Sequence, residues 1–397
     1  MLKRFLRRYI VLSIFLLGPF VIWSWKNKNL FNYSPSEAGR SQAHKTKSEQ
    51  QKIIEQYKSR LNAREEAMKE IAMHKEENPG RKQLPRVILI GVKKCGTDGI
   101  VSFLGYHPLI KIPIEVQSET FFFNGKGYSA GAAKYISFFP PTNDIEWGME
   151  KTPAYFDSPP FDFPSRIKDM VPNAKLLLIV CDPTKRAFSD YVHERMRHDL
   201  VNDTMIAEYK TFDDYVDHYL PILEKLMMNT TSNFTTNPSS DLRTQKMLTA
   251  LPHKDSAATL ISTGLYVYHI HRWKRLYNQS NFLTIDGEDF MANTGKVMEK
   301  IQDFLKIPKL LWKEDFVKNP DTGFYCHRKL TEQHLNQSRV ETNNELIASL
   351  QCLAKTKGRT RNGAKTASSK TLEELRKFYQ PFNKDFYREM NHQYNWM

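Results

Sequence analysis

The sequence predicts an α/β fold, with a central parallel sheet flanked by helices, and three short apolar runs carry that expectation. Val87-Ile88-Leu89-Ile90-Gly91, residues 175–180 (KLLLIV) and residues 281–285 (NFLTI) are almost continuously apolar. Strands buried on both faces of a parallel sheet have that character. Each run gives way to a helical pattern, over residues 98–104, 184–198 and 297–305. In such sheets ligands bind beyond the carboxyl ends of the strands. All three runs end in polar residues: Lys93-Lys94, Asp182 and Asp286.

In chain order, residues 1–8 carry Lys3, Arg4, Arg7 and Arg8, and residues 9–25 (YIVLSIFLLGPFVIWSW) form an uncharged stretch of 17 residues. A spanning helix needs about 20 residues in a typical bilayer, and thinner early-secretory membranes accept shorter ones. Trp23 and Trp25 stand where an interfacial aromatic belt belongs. Positive charge ahead of the span keeps the N-terminus cytoplasmic, and no small-x-small cleavage site follows. The expectation is a cytoplasmic tail 1–8, a signal-anchor 9–25, a lumenal stem 26–85 and a catalytic domain 86–397. Residues 48–78 of the stem are rich in helix formers with only a thin apolar stripe.

A lumenal domain excludes nucleic acid as a partner, so the formal net charge of +14 points to another polyanion, such as an acidic polysaccharide. Sequons at Asn202, Asn229, Asn233, Asn278 and Asn336 suit a secretory protein, and a sixth at Asn32 is weakened by Pro35. The four cysteines, Cys95, Cys181, Cys326 and Cys352, match no zinc spacing, and in an oxidising lumen they can form disulfides. The polar stretches 227–252, 331–349 and 356–370 read as surface loops.

The strongest chemical signal is the turn after the first strand. A strand, the loop Lys93-Lys94-Cys95-Gly96-Thr97 and a helix make a phosphate cradle. The helix start offers backbone N–H groups and a positive dipole end, Gly96 allows close backbone approach, Lys94 adds a charge and Thr97 a hydroxyl. Lysine precedes Gly-Thr here, so the loop is not a Walker A sequence, and a nucleoside-triphosphate phosphotransferase is disfavoured.

Six segments, in order, extend this signal: Gly91-Val-Lys-Lys-Cys-Gly-Thr97, Ser118-Glu-Thr-Phe-Phe-Phe-Asn-Gly125, Glu150-Lys-Thr-Pro-Ala-Tyr-Phe156, Asp182-Pro-Thr-Lys-Arg-Ala-Phe-Ser-Asp-Tyr191, Gly323-Phe-Tyr-Cys326 and Lys355-Thr-Lys-Gly-Arg359. Through them the chain resembles the P-loop-like sulfotransferase domain of the heparan sulfate glucosaminyl enzymes. Two branches compete, the 3-O-sulfotransferases and the N-sulfotransferase half of the bifunctional N-deacetylase/N-sulfotransferases.

The resemblance implies 3′-phosphoadenosine 5′-phosphosulfate (PAPS) as donor, heparan sulfate as acceptor, no metal, and a Golgi membrane location. It gives Lys93, Lys94, Cys95, Gly96 and Thr97 to the 5′ end of the donor, and Ser189 to its 3′-phosphate. Tyr325 and the late loop Lys357-Gly358-Arg359 close over the donor. Glu119 is the implied general base, with Lys94 and Lys151 the catalytic cations. Lys151 is also an implied acceptor contact, and His193 and Arg197, on a helix face that also carries Arg195 and His198, are read as a basic face for the acceptor. A disulfide between Cys326 and Cys352 anchors the late loop.

The chain also departs from the pattern. Cys181 stands where 3-O enzymes have an arginine that grips the 3′-phosphate, leaving Lys185 or Arg186 to replace it; a thiol cannot reproduce a bidentate guanidinium contact. Phe121 and Asn124 look like the N-sulfotransferase branch, and Asp98 replaces a basic substrate contact of the 3-O branch. The implied reaction is 3-O-sulfation of glucosamine, with N-sulfation or a catalytically weak heparan-binding protein as the alternatives.

Overall fold

The computed structural model of the protein describes residues 47–113, 118–124, 126–157, 162–201, 206, 208–231, 259–328, 349–353 and 367–396. The expected tail 1–8 and span 9–25 lie outside these residues. Among the described residues no helix is long and apolar enough to cross a membrane. The chain divides into two units, Met1–Lys58 and Ser59–Met397, and the second contains the sheet.

Five parallel strands form the sheet: β1 (Val87–Gly91), β2 (Ile110–Lys111), β3 (Trp147–Lys151), β4 (Lys175–Val180) and β5 (Phe282–Asp286), in the order β2-β3-β1-β4-β5. Every residue of β1 is buried, as is every residue of β4 beyond Lys175, which accounts for their unbroken apolar sequences. β1 lies between β3 and β4, with Val87 opposite both Met149 and Lys175. The chain leaves β1 towards one side of the sheet and later returns to lay β4 on the other. A crevice therefore opens beyond the carboxyl ends of β1 and β4, where ligands of such sheets bind.

Four helices matter to the site. α1 (Lys47–Glu77) precedes the sheet in the chain, α2 (Thr97–Leu104) follows β1, α3 (Pro183–Val201) follows β4, and α4 (Tyr266–Lys274) precedes β5. A small antiparallel pair, β6 (Phe316–Lys318) and β7 (Tyr325–His327), lies apart from the main sheet.

From Ser59 onward α1 belongs to the packed unit. Leu61 is buried, the Arg64 guanidinium bonds to the buried carboxylate of Asp315, and it sits 4.1 Å from the Trp312 ring centroid. Arg60 reaches Glu314 at 2.9 Å. The second half of the expected stem helix is therefore built into the domain, and Arg64 is the residue that secures it.

Candidate active site

The loop leaving β1 is shaped by close packing and unusual backbone angles. A side chain at Gly91 would bring its Cβ within 2.6 Å of Phe156 Cβ, so only glycine fits there. Lys94 (φ 74°) and Gly96 (φ 105°) both take left-handed conformations, which glycine accepts at little cost and lysine does not. Val92 N donates to Ile179 O at 2.7 Å and Cys95 N to Val92 O at 3.1 Å, fixing the turn against β4. Gly96 precedes α2 without any side-chain cap. The first-turn amides of α2 and the positive end of its dipole are thus presented at the strand end, beside Lys94.

Cys95 and Cys181 are joined by a disulfide, with Cα atoms 5.4 Å apart. Neither side chain therefore has a thiol to offer a phosphate. Cys95 can present its backbone only, and Cys181 is a tether in place of a grip. Arg186 does not replace the missing arginine either: it is fully buried, donating to Asp190 Oδ2 at 2.9 Å and to Leu260 O. Lys185 is exposed, with Asp182 at 3.8 Å.

Glu119, Lys151 and Asp98 meet at the end of β3. The Lys151 ammonium, only 3% exposed, is paired with the Glu119 carboxylate and lies 2.6 Å from Asp98 Oδ1. Lys151 N also donates to Ser118 O at 2.9 Å, which docks the segment bearing Glu119 against the strand. Behind it lies a second carboxyl: Glu150 is fully buried and accepts from Thr120 Oγ1 and, at 2.6 Å, from Tyr135 Oη. Burial pushes Glu150 up to about 7, and the two hydroxyl donors only partly oppose that shift. The neighbours Thr120 and Glu119 are thus held by the neighbours Glu150 and Lys151. Phe121, with φ 47°, is 46% exposed beside this cluster.

α3 supplies the other wall. Lys93 Nζ lies 2.9 Å from Asp190 Oδ1 and 2.6 Å from Glu194 Oε1. Burial alone would lower the Lys93 pKa, but the two carboxylates outweigh it and hold it raised. Burial would likewise raise Asp190, and Lys93 and Arg186 hold it below its ordinary range. Lys93 therefore anchors the loop to α3, a different use of its side chain from the donor contact expected of it.

His193 faces the same loop. Burial and the nearby charges of Lys94 and Lys93 depress it to about 4, so its imidazole is neutral, and among the described residues its buried Nδ1 has no hydrogen-bond partner. Ser189 is half-buried beside Asp190, and Arg197 is exposed, 3.6 Å from Glu194 Oε2.

The remaining expected residues are dispersed. Tyr325 Oη donates to Ala292 O at 3.0 Å. Cys326 and Cys352 form the second disulfide, and Leu353, just after it, reaches the Gly99 face of α2. Lys357, Gly358 and Arg359 lie outside the described residues, as do Asn202, Asn233 and Asn336. The side chains of His198 and Asn229 also fall outside the description. Asn278 is exposed, and its Oδ1 accepts from Ser280 N and Oγ. Among the described residues no cluster of His, Cys, Asp and Glu could hold a metal ion.

Sequence reasoning missed the Cys95–Cys181 bond, the Asp98–Lys151 pair and the Glu150 network. The first had a signal, two cysteines that each follow an apolar strand run. The others arise from packing between segments distant in sequence.

Comparisons with known proteins agree with this arrangement. The sulfotransferase domain family matches residues 84–345. The chain is 31% identical over 317 residues to human heparan sulfate glucosamine 3-O-sulfotransferase 3B1, covering 80% of this chain and 66% of that protein. It is 30% identical over 318 residues to human heparan sulfate glucosamine 3-O-sulfotransferase 6, covering 80% and 75%. Mouse bifunctional heparan sulfate N-deacetylase/N-sulfotransferase 4 is 30% identical over 283 residues, covering 70% of this chain and 27% of that enzyme. The chain spans just under two thirds of the length of several of these relatives, 66% for 3B1 and 63% for 3A1. The family match over residues 84–345 and these relatives assign the chain to the sulfotransferase family, among the heparan sulfate glucosaminyl sulfotransferases.

Proposed function

We propose that this protein transfers sulfate from PAPS to the 3-hydroxyl of a glucosamine unit in heparan sulfate. The observation that carries the reading is the Lys151 ammonium held between Glu119 and Asp98 at the strand end beside the β1–α2 loop. It unites a base, a cation and a phosphate cradle.

The loop fits the donor. Left-handed Lys94 and Gly96 turn the backbone so that the uncapped start of α2 faces the crevice. The 5′ end belongs against Lys94, Gly96 and Thr97, and the 3′-phosphate near Ser189. Tyr325 and residues 357–359 are assigned to the cover. When bound, the donor supplies an activated sulfuryl group and a phosphate leaving group.

The chain's own residues do the rest. Glu119 accepts the proton of the acceptor hydroxyl, which requires hydrogen-bond reach of that oxygen. Asp98 offers Lys151 a second partner, so that Glu119 can turn to the acceptor. Lys94 and Lys151 stabilise negative charge developing at the reacting centre, the largest contribution in transfers of this type. His193 and Arg197 line the acceptor side.

A second reading is N-sulfation of glucosamine, favoured by exposed Phe121 in a segment like that of the N-sulfotransferases. Sulfation of defined heparan precursors followed by disaccharide analysis separates the two. A product sulfated only at the 2-amine would overturn the 3-O assignment. Residues 9–25 and the five sequons support a Golgi type II membrane protein with its domain in the lumen. Protease protection in intact vesicles tests this, and a domain digested without detergent would refute it.

A further inference from the structure

The Cys95–Cys181 bond joins the loop leaving β1 to the residue that follows β4, across the crevice between two adjacent parallel strands. It lies inside the candidate donor site. Cys95 directly precedes Gly96, the residue that sets the start of α2. Cys181 is fixed in turn by Tyr266 of α4, whose hydroxyl donates to Cys181 O at 2.9 Å and lies 3.7 Å from Cys95 Sγ. The third strand end closes on the same point. A Cβ at Gly287 would stand 2.8 Å from Val180 O, 3.1 Å from Cys181 Cβ and 3.4 Å from Cys95 O. The carboxyl ends of β1, β4 and β5 thus converge on one covalent bond.

The loop it holds contains backbone that is costly to maintain. Lys94 sits at φ 74° one residue before the bond and Gly96 at φ 105° one residue after it. For Lys94 that backbone is strained, and it persists only where the surroundings over-determine it. Among the described residues no side chain caps α2; in the loop Val92 N bonds to Ile179 O and Cys95 N to Val92 O, while Gly96 O accepts from Gly99 N and Ile100 N of the helix. Lys93 adds an ion pair to α3, to two buried carboxylates.

We propose that the Cys95–Cys181 disulfide is a positioning element of the donor site, holding the β1–α2 loop in its phosphate-binding conformation so that donor affinity depends on the bond. The inference rests on the donor site assigned under Proposed function. Without the bond the loop samples other conformations, and the donor binds only the competent fraction. If that fraction falls to about one tenth, apparent affinity falls about tenfold. Acceptor binding through Arg197, exposed on α3 away from the bond, is untouched.

The test is calorimetric titration of the full chain with 3′-phosphoadenosine 5′-phosphate, beside Cys95→Ser, Cys181→Ser and the double variant. Heparin affinity and thermal unfolding are measured in parallel. Each single replacement breaks the bond as completely as the double, so the three losses should be equal, about tenfold, with heparin affinity unchanged. Should the serine variants not fold, Cys95→Ala/Cys181→Ala repeats the measurement without a buried hydroxyl. Variants that melt earlier yet bind the nucleotide like the parent would overturn the inference alone, leaving the bond a stabiliser. Losses that add in the double variant would assign the effect to separate side-chain contacts and also overturn it. A parent that does not bind the nucleotide would overturn the donor site itself, and this inference with it.

Discussion

Replacing Glu150 with glutamine should change how the stability of the protein depends on pH. Glu150 is fully buried between the hydroxyls of Thr120 and Tyr135, and burial raises its pKa from 4.5 to about 7. Between those values the folded state keeps a proton that the unfolded chain has released. Stability therefore falls as pH rises through that window and levels off above it. At about 1.4 kcal/mol per pKa unit, the loss totals roughly 3 kcal/mol. Glutamine keeps the shape and can still bond both hydroxyls, but it does not ionise. Urea denaturation of parent and Glu150→Gln between pH 5 and pH 8.5 should give similar stabilities at the acid end. At the alkaline end the variant should be the more stable, by up to roughly 3 kcal/mol. Stability curves that run parallel across this range would refute the reasoning. Glu150 would then titrate as it does in the unfolded chain.

Three further outcomes follow from the site. Glu119→Gln should lower sulfate transfer by about a hundredfold or more, the scale of a lost general base, while nucleotide binding by calorimetry stays within a factor of two; unchanged transfer would remove Glu119 as the base. Lys94→Ala should reduce kcat by about two to three orders of magnitude, as loss of one transition-state donor does, and a change confined to KM would show that it binds without assisting the chemistry. Arg64→Met leaves the buried Asp315 carboxylate without its cation and should destabilise the domain by about 3–5 kcal/mol in denaturant titrations. An effect under about 1 kcal/mol would mean that the pairing in α1 contributes no more than an exposed ion pair.

The strands that announce themselves in the sequence are β1, β4 and β5, because their burial on both faces demands apolar residues throughout. β3 does not, since Trp147-Gly148-Met149-Glu150-Lys151 ends in two charged residues that are buried and paired. β2 is two residues long and has no periodicity to read. The loop after β1 was legible because its chemistry is local: a strand, Lys94-Cys95-Gly96-Thr97 and a helix in one stretch. The disulfides were not legible to the same degree. Four cysteines allow three pairings, and only the fold brings residues 95 and 181 to neighbouring strand ends. The same holds for Arg186, which local sequence offers as a phosphate ligand and the fold buries against Asp190. Lys93 reads as a donor ligand until α3 sets Asp190 and Glu194 beside it.

Among all these measurements, incubation of the full chain with radiolabelled PAPS and heparan sulfate precursors, followed by disaccharide analysis of the product, tests the central claim most directly. The account predicts label on glucosamine, at the 3-hydroxyl, in the parent and none in Glu119→Gln. A parent that binds both PAPS and heparan sulfate yet transfers no label would contradict it, leaving a sulfotransferase fold that binds the polysaccharide without modifying it.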